Sequence, residues 1–482
     1  MAVFSLIFGW ACHALWYLFF IVLIAFLGYS LYIKHIHMKY DHIPGPPRDS
    51  FFFGHMPTLL REMKAERVIH ENMLEWAETY GPVYRISVLH HVILVVSCPE
   101  ATKEILMSPK YPKDKFAYKR LFHLFGQRFL GNGMVTAVNH EQWYKQRRIM
   151  DPAFSSLYLR GLMGTFNERA ERLMDKLADF ADCKKETSML HLVNCVTLDV
   201  IAKVAFGVDL DLLKHTDSPF PKAIEACARE LLFFNPKNWP FINEVRQACK
   251  LLRDTGYRWI QARKTAIQNG EEVPKDILTQ IIKSADKDEI LMIPEFSILI
   301  KNVILLHPDI LEKARKEVDD VIGMKREISY DDLGKLVYLS QVLKETLRLY
   351  PTAPGTSREV HEDMVISGIH IPGGVTCAFS PYVTSRMDKF FKDPLTFDPD
   401  RFHPDAPKPY YCYYPFSLGP RVCLGQNFAQ MEAKVVMAKL LQRFEFTLVP
   451  GQSFDIRDVG TLRPKDGVMS HIKHRNHSKV NE

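Results

Sequence analysis

The sequence predicts a mainly α-helical protein with a small β region, and three features support this fold class. Helical periodicity dominates from about residue 137 to 323 and again from 330 to 350. Runs rich in β-branched residues are short and confined to 83–96 and 365–381. Hydrophobic residues make up 47% and charged residues 24%, a balance typical of a packed globular protein.

The N-terminal stretch is apolar and predicts a membrane anchor. Residues 1–33 contain no Lys, Arg, Asp or Glu, and a helix of about 30 residues exceeds the ~30 Å hydrocarbon core of a bilayer. A cleavable signal peptide is the alternative, but its basic start, shorter apolar region and small-residue cleavage site are not evident here. Lys34, Lys39 and Arg48 follow directly, so the positive-inside tendency predicts that the rest of the chain faces the cytosol.

Four segments are predicted along the chain, and they are the anchor 1–33, a basic and proline-rich linker 34–50, the main domain 51–470 and a polar tail 471–482. The sequence DHIPGPPR in the linker contains three prolines and cannot continue a helix. The net charge of +6 is spread along the chain, which argues against nucleic-acid binding. Nine cysteines with no CxxC pair indicate free thiols in a reducing compartment.

Three elements are predicted in more detail. The segment 83–96 reads as a hairpin with a polar break at its two histidines. Ser329 and Asp332 form a capping box at the start of a helix predicted over 330–350. A final helix is predicted over 426–443.

One acidic and one basic residue on the helix 330–350 are candidates for a structural ion pair. Glu345 and Arg348 lie one turn apart, which alone is common in exposed helices. Arg401 lies in the Pro-rich and Asp-rich coil 392–420 and brings a second guanidinium within reach of the same carboxylate. Because a coil of this length is usually functional, the three residues are predicted to fix it against the helix.

Trp143 and Arg147 are candidates for binding an anion. They lie one helical turn apart, and an indole N–H and a guanidinium can both donate to the same group. The basic face of an amphipathic helix is the alternative interpretation of this pair.

The segment PFSLGPRVCLG surrounds a single cysteine, Cys423, with residues suited to an iron-bound thiolate. A thiolate needs backbone N–H donors and the positive end of a helix, which is predicted to begin near residue 426. Gly425 permits close backbone approach. Arg421 can reach a ligand carboxylate, and Phe416 can cover the sulfur.

These positions form the pattern F-x-x-G-x-R-x-C-x-G, and with it the chain resembles the cytochrome P-450 superfamily. The resemblance extends from about Tyr40 to Pro464 and includes E-x-x-R, PxRF, W-x-x-x-R and a PGPP hinge in the expected order. It implies a mainly α cytochrome P-450 fold that holds haem b, with Cys423 as the iron ligand. It also implies further haem contacts at Phe416 and Gly425, propionate contacts from Trp143, Arg147, Arg358 and Arg421, and structural supports at Glu345, Arg348 and Arg401.

The resemblance also implies an activity. Proteins of this kind are monooxygenases that use O2 and electrons passed from NADPH through a membrane-bound cytochrome reductase. The segments YLSQVLKETLRLYP and FSLGPRVCLGQNFAQME resemble those of the sterol hydroxylases, so a sterol side chain, and cholesterol at C24 in particular, is the expected substrate. The expected location is the endoplasmic reticulum membrane, with one membrane span and the catalytic domain in the cytosol. Lys145 and Arg148 are candidates for docking the reductase, although a solvated basic face explains them equally well.

One segment departs from the family pattern. The long helix over the haem normally carries [AG]-G-x-[DE]-T-[ST], whose acid and hydroxyl supply protons for oxygen activation. Here DILTQIIKSADKDEI and LLHPDILEKARKEV are joined by only LMIPEFSILIKNVI. No catalytic acid–alcohol pair is found, and the fold is expected to lack most of this helix.

Two explanations of the departure stay open. The chain is either an altered product, such as a spliced or mispredicted gene, or a family member in which the short segment replaces the helix. The absent motif also supports an alternative function, that of a catalytically silent or impaired membrane protein that binds haem or a sterol.

Overall fold

The structure of the protein is a computed structural model that describes residues 2–215, 217–229, 239–284 and 307–476. The helices are α1 (Ala2–Tyr40), α2 (Met56–Lys64), α3 (Ile69–Tyr80), α4 (Pro99–Met107), α5 (Lys115–Phe122), α6 (His140–Met150), α7 (Ser156–Gly161), α8 (Met163–Asp182), α9 (Met189–Phe206), α10 (Pro219–Arg229), α11 (Trp239–Gln268), α12 (Ile277–Ser284), α13 (Pro308–Val321), α14 (Tyr330–Lys335), α15 (Val337–Leu349), α16 (Pro381–Thr384) and α17 (Gln426–Arg443). The 3-10 turns are Asp151–Phe154, Pro399–Phe402 and Gly419–Arg421.

The β structure is small, as the sequence predicts. The strands are β1 (Val83–Val88), β2 (His91–Val96), β3 (His123–Leu124), β4 (Gln127–Arg128), β5 (Thr187–Ser188), β6 (Thr356–Val360), β7 (Met364–Ile366), β8 (Ile369–Ile371), β9 (Val375–Phe379), β10 (Phe444–Leu448), β11 (Ile456–Asp458), β12 (Leu462–Pro464) and β13 (Met469–His474). A four-stranded sheet has the order β1-β2-β9-β6, in which β2 and β9 are parallel and the other pairs antiparallel. The hairpin predicted at 83–96 is confirmed as β1 and β2.

The main hydrophobic core is built around α17. Its bounds agree with the helix predicted over 426–443, and most of its side chains are buried. Side chains from α8, α9, α13 and α15 pack with it, and β10 and β13 close one side. A second apolar cluster packs the four-stranded sheet and the β7–β8 hairpin against α4. The loop that contains Cys423 leads directly into α17, so a central element of the core positions it.

The helix predicted over 330–350 is two helices, α14 and α15, which meet at Leu336. The capping box at the start of α14 is confirmed. The carboxylate of Glu317 on α13 accepts the backbone N–H groups of Tyr338 at 2.6 Å and Leu339 at 2.8 Å. This contact satisfies the free donors of a new helix N-terminus. It is a tertiary contact, so local periodicity missed the break.

Helix α1 continues to Tyr40, beyond the predicted end of the anchor at residue 33. No proline occurs before Pro44, so nothing in the sequence breaks the helix earlier. Residues 12–29 are exposed, whereas Ile33, His37 and Tyr40 are buried against the domain. The segment Cys12–Tyr40 is long and apolar enough to cross a membrane, and α9, which also passes this criterion, is mostly buried in the core.

Two further predictions concern segment ends. Residues 471–474, which the sequence predicts as part of a polar tail, belong to β13 and pair with β10. The predicted loss of the central helix falls on 285–306, which lie outside the described residues.

Candidate haem-thiolate site

The loop before α17 folds back on itself at Cys423. The Cys423 backbone N–H donates to the Phe416 carbonyl oxygen at 2.9 Å. Gly419 has a φ of +67°, and a Cβ at this position would overlap the carbonyl oxygen of Leu106 in α4. Glycine is therefore required here by both the backbone conformation and the close approach of α4.

The surroundings of the Cys423 sulfur are suited to a thiolate. Burial raises the pKa of the Cys423 thiol, while a hydrogen bond from the Gly425 backbone and the charges of Arg147 and Lys113 lower it. The N-terminus of α17 adds the positive end of a helix dipole. Without a metal, the Cys423 thiol is therefore neutral in this environment. If a metal bound the sulfur and stabilised the thiolate, the Gly425 backbone N–H would donate to it.

Helix α6 contributes Trp143, which lies against the cysteine loop. The Trp143 side chain is buried, and the Arg421 guanidinium lies 4.2 Å from the centre of its ring. Arg421 Nη1 also donates to the Ala137 carbonyl oxygen at 2.8 Å. Burial, followed by the charge of Arg358, lowers the pKa of Arg421 to about 10.

Arg147, one turn further along α6, fastens the same loop. Its Nη1 donates to the Val422 carbonyl oxygen at 2.8 Å, and its Nε donates to Asp151 Oδ1 at 2.6 Å. The structure therefore places Arg147 close enough for its charge to act on Cys423. The guanidinium of Arg147 is also paired with the Asp151 carboxylate.

Arg358, on β6, is 1% exposed. Its Nη1 donates to Thr356 Oγ1 at 3.0 Å and to the Ser357 carbonyl oxygen at 2.8 Å. Its Nη2 is buried without a hydrogen-bond partner. Burial lowers the pKa of Arg358, and contact with Tyr118 acts in the opposite direction. An unsatisfied guanidinium nitrogen of this kind is costly unless an acceptor occupies the space beside it.

Lys113 is a further member of the site, and the sequence analysis missed it. Its Nζ donates to the Val135 carbonyl oxygen at 2.7 Å and lies 4.4 Å from the centre of the Tyr118 ring. Burial, followed by the charges of Arg358 and Arg421, holds the pKa of Lys113 well below its usual range. No motif marks this residue, because it lies in a loop that only the tertiary fold brings to the cysteine.

The residues present fit haem b. Lys113, Arg358 and Arg421 place three basic side chains in a largely buried region. The charge of Arg358 lowers the pKa of both Lys113 and Arg421, and the charge of Arg421 lowers that of Lys113. The nearby Asp114 carboxylate acts on Arg358, but it supplies only one negative charge for three basic side chains. Two propionate groups would supply the missing negative charge, beside a cysteine equipped to act as an iron ligand.

The three predicted structural residues lie together in the core. Arg348 forms a two-point ion pair with Glu345, with distances of 2.6 Å and 2.8 Å, and both side chains are fully buried. Arg401 Nε lies 3.5 Å from Glu345 Oε1. The coil is held as well, because Arg348 donates to the Pro394 and Thr396 carbonyl oxygens at 2.7 Å and 3.1 Å.

The two basic residues considered for partner docking lie on the exposed side of α6. Lys145 pairs with Glu141 at 2.9 Å, and both side chains are largely exposed. Arg148 lies near the Tyr144 ring, 6.0 Å from its centre. Both side chains are therefore accessible to solvent.

The family model for Cytochrome P450 matches residues 44–304 and 297–471 of this chain. The chain belongs to the cytochrome P450 family. Membership implies haem iron, O2 and electrons delivered by a redox partner. The two matched parts overlap at 297–304, inside the segment in which the oxygen-activating motif is absent.

Curated relatives match over nearly their whole length. The chain is 29% identical to cytochrome P450 4c21 of Blattella germanica, covering 89% of this chain and 92% of that protein. It is 27% identical to human cytochrome P450 4F2, covering 88% and 90%. It is 26% identical to cytochrome P450 4d2 of Drosophila melanogaster, covering 90% and 94%.

Proposed function

We propose that this chain is a membrane-anchored haem-thiolate monooxygenase that hydroxylates a sterol side chain, with cholesterol at C24 as its substrate. The observation that carries the proposal is the meeting of Cys423 with the excess of buried positive charge on Lys113, Arg358 and Arg421. The sterol part is supported by the likeness of YLSQVLKETLRLYP and FSLGPRVCLGQNFAQME to cholesterol 24-hydroxylases.

The residues of the site have separate roles in this proposal. Cys423 is the iron ligand, with Gly425 donating to its sulfur and Phe416 closing its loop. The propionate contacts come from Trp143, Arg147, Arg358, Arg421 and Lys113. Glu345, Arg348 and Arg401 hold the coil that precedes the cysteine loop. When bound, haem supplies the activation of O2, and the protein excludes water and orients the substrate.

The proposed setting is the endoplasmic reticulum membrane, with α1 as the single span and the domain in the cytosol. The exposed apolar residues of α1 and the basic residues after them support this orientation. Tyr29 contacts His90 at 3.3 Å, and the Phe26 and Phe52 rings are 5.2 Å apart, so the helix is also tied to the domain. Electrons would come from NADPH through a membrane-bound reductase docked near Lys145 and Arg148.

The proposal is tested with the full-length, haem-loaded protein in two steps. The carbon monoxide difference spectrum of the reduced protein reports the thiolate ligand, and incubation with cholesterol, reductase and NADPH reports hydroxysterol. We expect a thiolate-type band together with a product hydroxylated at C24. A band without hydroxysterol would contradict the proposed sterol hydroxylase activity and support the haem site. Absence of the band would contradict both the activity and the haem site.

A second candidate is a catalytically silent haem or sterol-binding membrane protein. The specific observation in its favour is the missing acid–alcohol motif in a segment where the family match is split into two parts. Its signature is a normal thiolate band and a spectral response to added cholesterol, with no oxygenated product.

A further inference from the structure

Cys227 of α10 and Cys249 of α11 are buried cysteines whose side chains are in contact. Their sulfur atoms lie 3.5 Å apart, and neither residue is part of a disulfide. The side chain of Cys227 is 0% exposed and that of Cys249 is 1% exposed. The two positions are 22 residues apart in the sequence, so the packing of α10 against α11 brings them together.

The cluster around the two sulfur atoms is apolar. Buried alanines are adjacent to both cysteines in the sequence, with Ala226 and Ala228 flanking Cys227 and Ala248 preceding Cys249. The other members come from α10, α11 and the segment around β3 and β4, and they are Leu124, Phe129, Ala223, Ile224, Val245 and Leu252. In the described part of the chain, no three His, Cys, Asp or Glu side chains are placed to hold a metal ion. The chemistry that these described residues offer the two thiols is therefore reaction with each other.

The contact between the two sulfur atoms is close to the geometry of a disulfide. A disulfide bond is about 2.05 Å long, so sulfur atoms that are 3.5 Å apart must approach by about 1.5 Å. Rotation of the two side chains about their Cα–Cβ bonds moves the sulfur atoms by distances of this size. Bond formation therefore needs only side-chain rotation and small adjustments of the two helices.

Cys249 is the thiol that is better prepared to react. A hydrogen bond from Cys227 lowers the pKa of Cys249, burial acts in the opposite direction, and the charge of Arg253, one turn along α11, lowers it further. The thiolate is the nucleophile in the oxidation of a cysteine. Arg246 and Lys250 are exposed, so the part of α11 that carries Cys249 meets solvent. A small oxidant such as hydrogen peroxide therefore has a short path to the sulfur.

We propose that hydrogen peroxide converts Cys227 and Cys249 into a reversible disulfide that links α10 to α11. The Cys249 thiolate attacks one peroxide oxygen and breaks the O–O bond, which gives a sulfenic acid and a hydroxide that takes up the Cys249 proton. The Cys227 sulfur then attacks the Cys249 sulfur, and the S–O bond breaks as water leaves with the Cys227 proton. Two thiols and one peroxide thus give one disulfide and two waters, with two electrons passing from sulfur to oxygen.

The link would hold one wall of a groove in the domain. The groove has a volume of about 420 Å³ and is lined by Ile224 of α10, Leu198 of α9 and Val459, which follows β11. Ile224 belongs to the same apolar cluster as the two cysteines. Fixing α10 to α11 therefore fixes this side of the groove, and the proposal holds whether or not the chain hydroxylates a sterol.

The first experiment uses the folded, full-length, haem-loaded protein before and after a short incubation with dilute hydrogen peroxide. Thiols that have not reacted are blocked with N-ethylmaleimide during denaturation, and mass spectrometry of the digest detects a Cys227–Cys249 peptide that has lost two hydrogens. We expect this linked peptide to be the main product of both cysteines and to disappear after treatment with dithiothreitol. If both thiols are still available for blocking under conditions that oxidise the exposed Cys183, the proposal is wrong.

Amide hydrogen exchange measures the effect of the link on α10. We expect exchange of residues 221–228 to slow about tenfold when the wild type is oxidised and to recover after reduction. The reason is that a cross-link removes openings in which α10 separates from α11. Unchanged exchange in the fully linked protein would overturn the proposed connection between the two helices.

Variants of the two cysteines test the order of the reaction. C227A should accumulate a sulfenic acid at Cys249, which dimedone traps, whereas C249A should give neither the linked peptide nor a dimedone adduct at Cys227. C227S and C249S replace the alanine variants should those not fold. C183S changes an exposed thiol outside the cluster and should form the linked peptide like the wild type. Equal trapping of the two single thiols would contradict the assignment of Cys249 as the attacking group.

Discussion

The region around Cys423 and the segment before α13 differ in how completely they match the family pattern. On the cysteine side, Arg147 and Arg421 donate to backbone carbonyl oxygens, and Arg348 pairs with Glu345 in the core. In the segment 285–306, the sequence contains no acid–alcohol motif. The difference shows that the residues proposed to hold haem and the motif expected to activate oxygen lie in separate parts of the chain, so each can be tested without the other.

The largest expected effect is that of C423S. Loss of the iron ligand should abolish the thiolate-type band of the reduced carbon monoxide complex completely. The control is C183S, which changes an exposed thiol outside the loop and should leave the band unchanged. A band that persisted in C423S would show that another residue ligates the iron.

Exchanging residues 285–306 addresses the other side of the comparison. We expect replacement by a helical segment that carries the [AG]-G-x-[DE]-T-[ST] pattern to raise product formation by about 10²–10⁴-fold, the usual contribution of general acid catalysis. Product formation with reductase and NADPH is the measurement, using cholesterol and a fatty acid as test substrates.

The matched control for this graft carries alanine at the acid and the threonine of the motif. If the graft and its control are equally active, the missing motif is not what limits the chain. Equal activity of the graft and the native chain would contradict the prediction that residues 285–306 limit oxygen activation.

Buried charge on the cysteine side gives the next prediction. R348M leaves the Glu345 carboxylate buried without its two-point partner, so the free energy of unfolding should fall by about 3–5 kcal/mol. Denaturant unfolding of the haem-loaded protein measures this change. K145M removes an exposed ion pair of α6 and should have no measurable effect. Similar losses in both variants would mean that burial of the Glu345–Arg348 pair contributes nothing.

Sequence reasoning found residues whose partners lie in a fixed motif and missed those that depend on tertiary contacts. Glu345 and Arg348 are one helical turn apart, and they form the ion pair in the core. The break before α15 was missed because Glu317, on a different helix, caps the new N-terminus. The hairpin 83–96 and helix 426–443 were found because each has a strong local pattern.

Lys113 is the clearest case of a site residue without a sequence signal. Its neighbours in the chain are ordinary loop residues, and its position beside Arg358 and Arg421 follows only from the packing of the loop before α5. Lys110, three residues earlier, is exposed and pairs with Glu362 instead. Two lysines of one loop therefore have opposite environments that the sequence does not distinguish.

This contrast gives the smallest predicted effect. K113M removes one of three cations around the expected propionates and should weaken haem retention about tenfold, as the loss of one charge-assisted hydrogen bond of ~1.5 kcal/mol implies. Transfer of haem to a scavenger protein, followed by absorbance, measures the change. K110M should retain haem like the wild type. If K113M also does so, Arg358 and Arg421 alone neutralise the propionates, and the buried charge of Lys113 serves only the loop, through its hydrogen bond to the Val135 carbonyl oxygen.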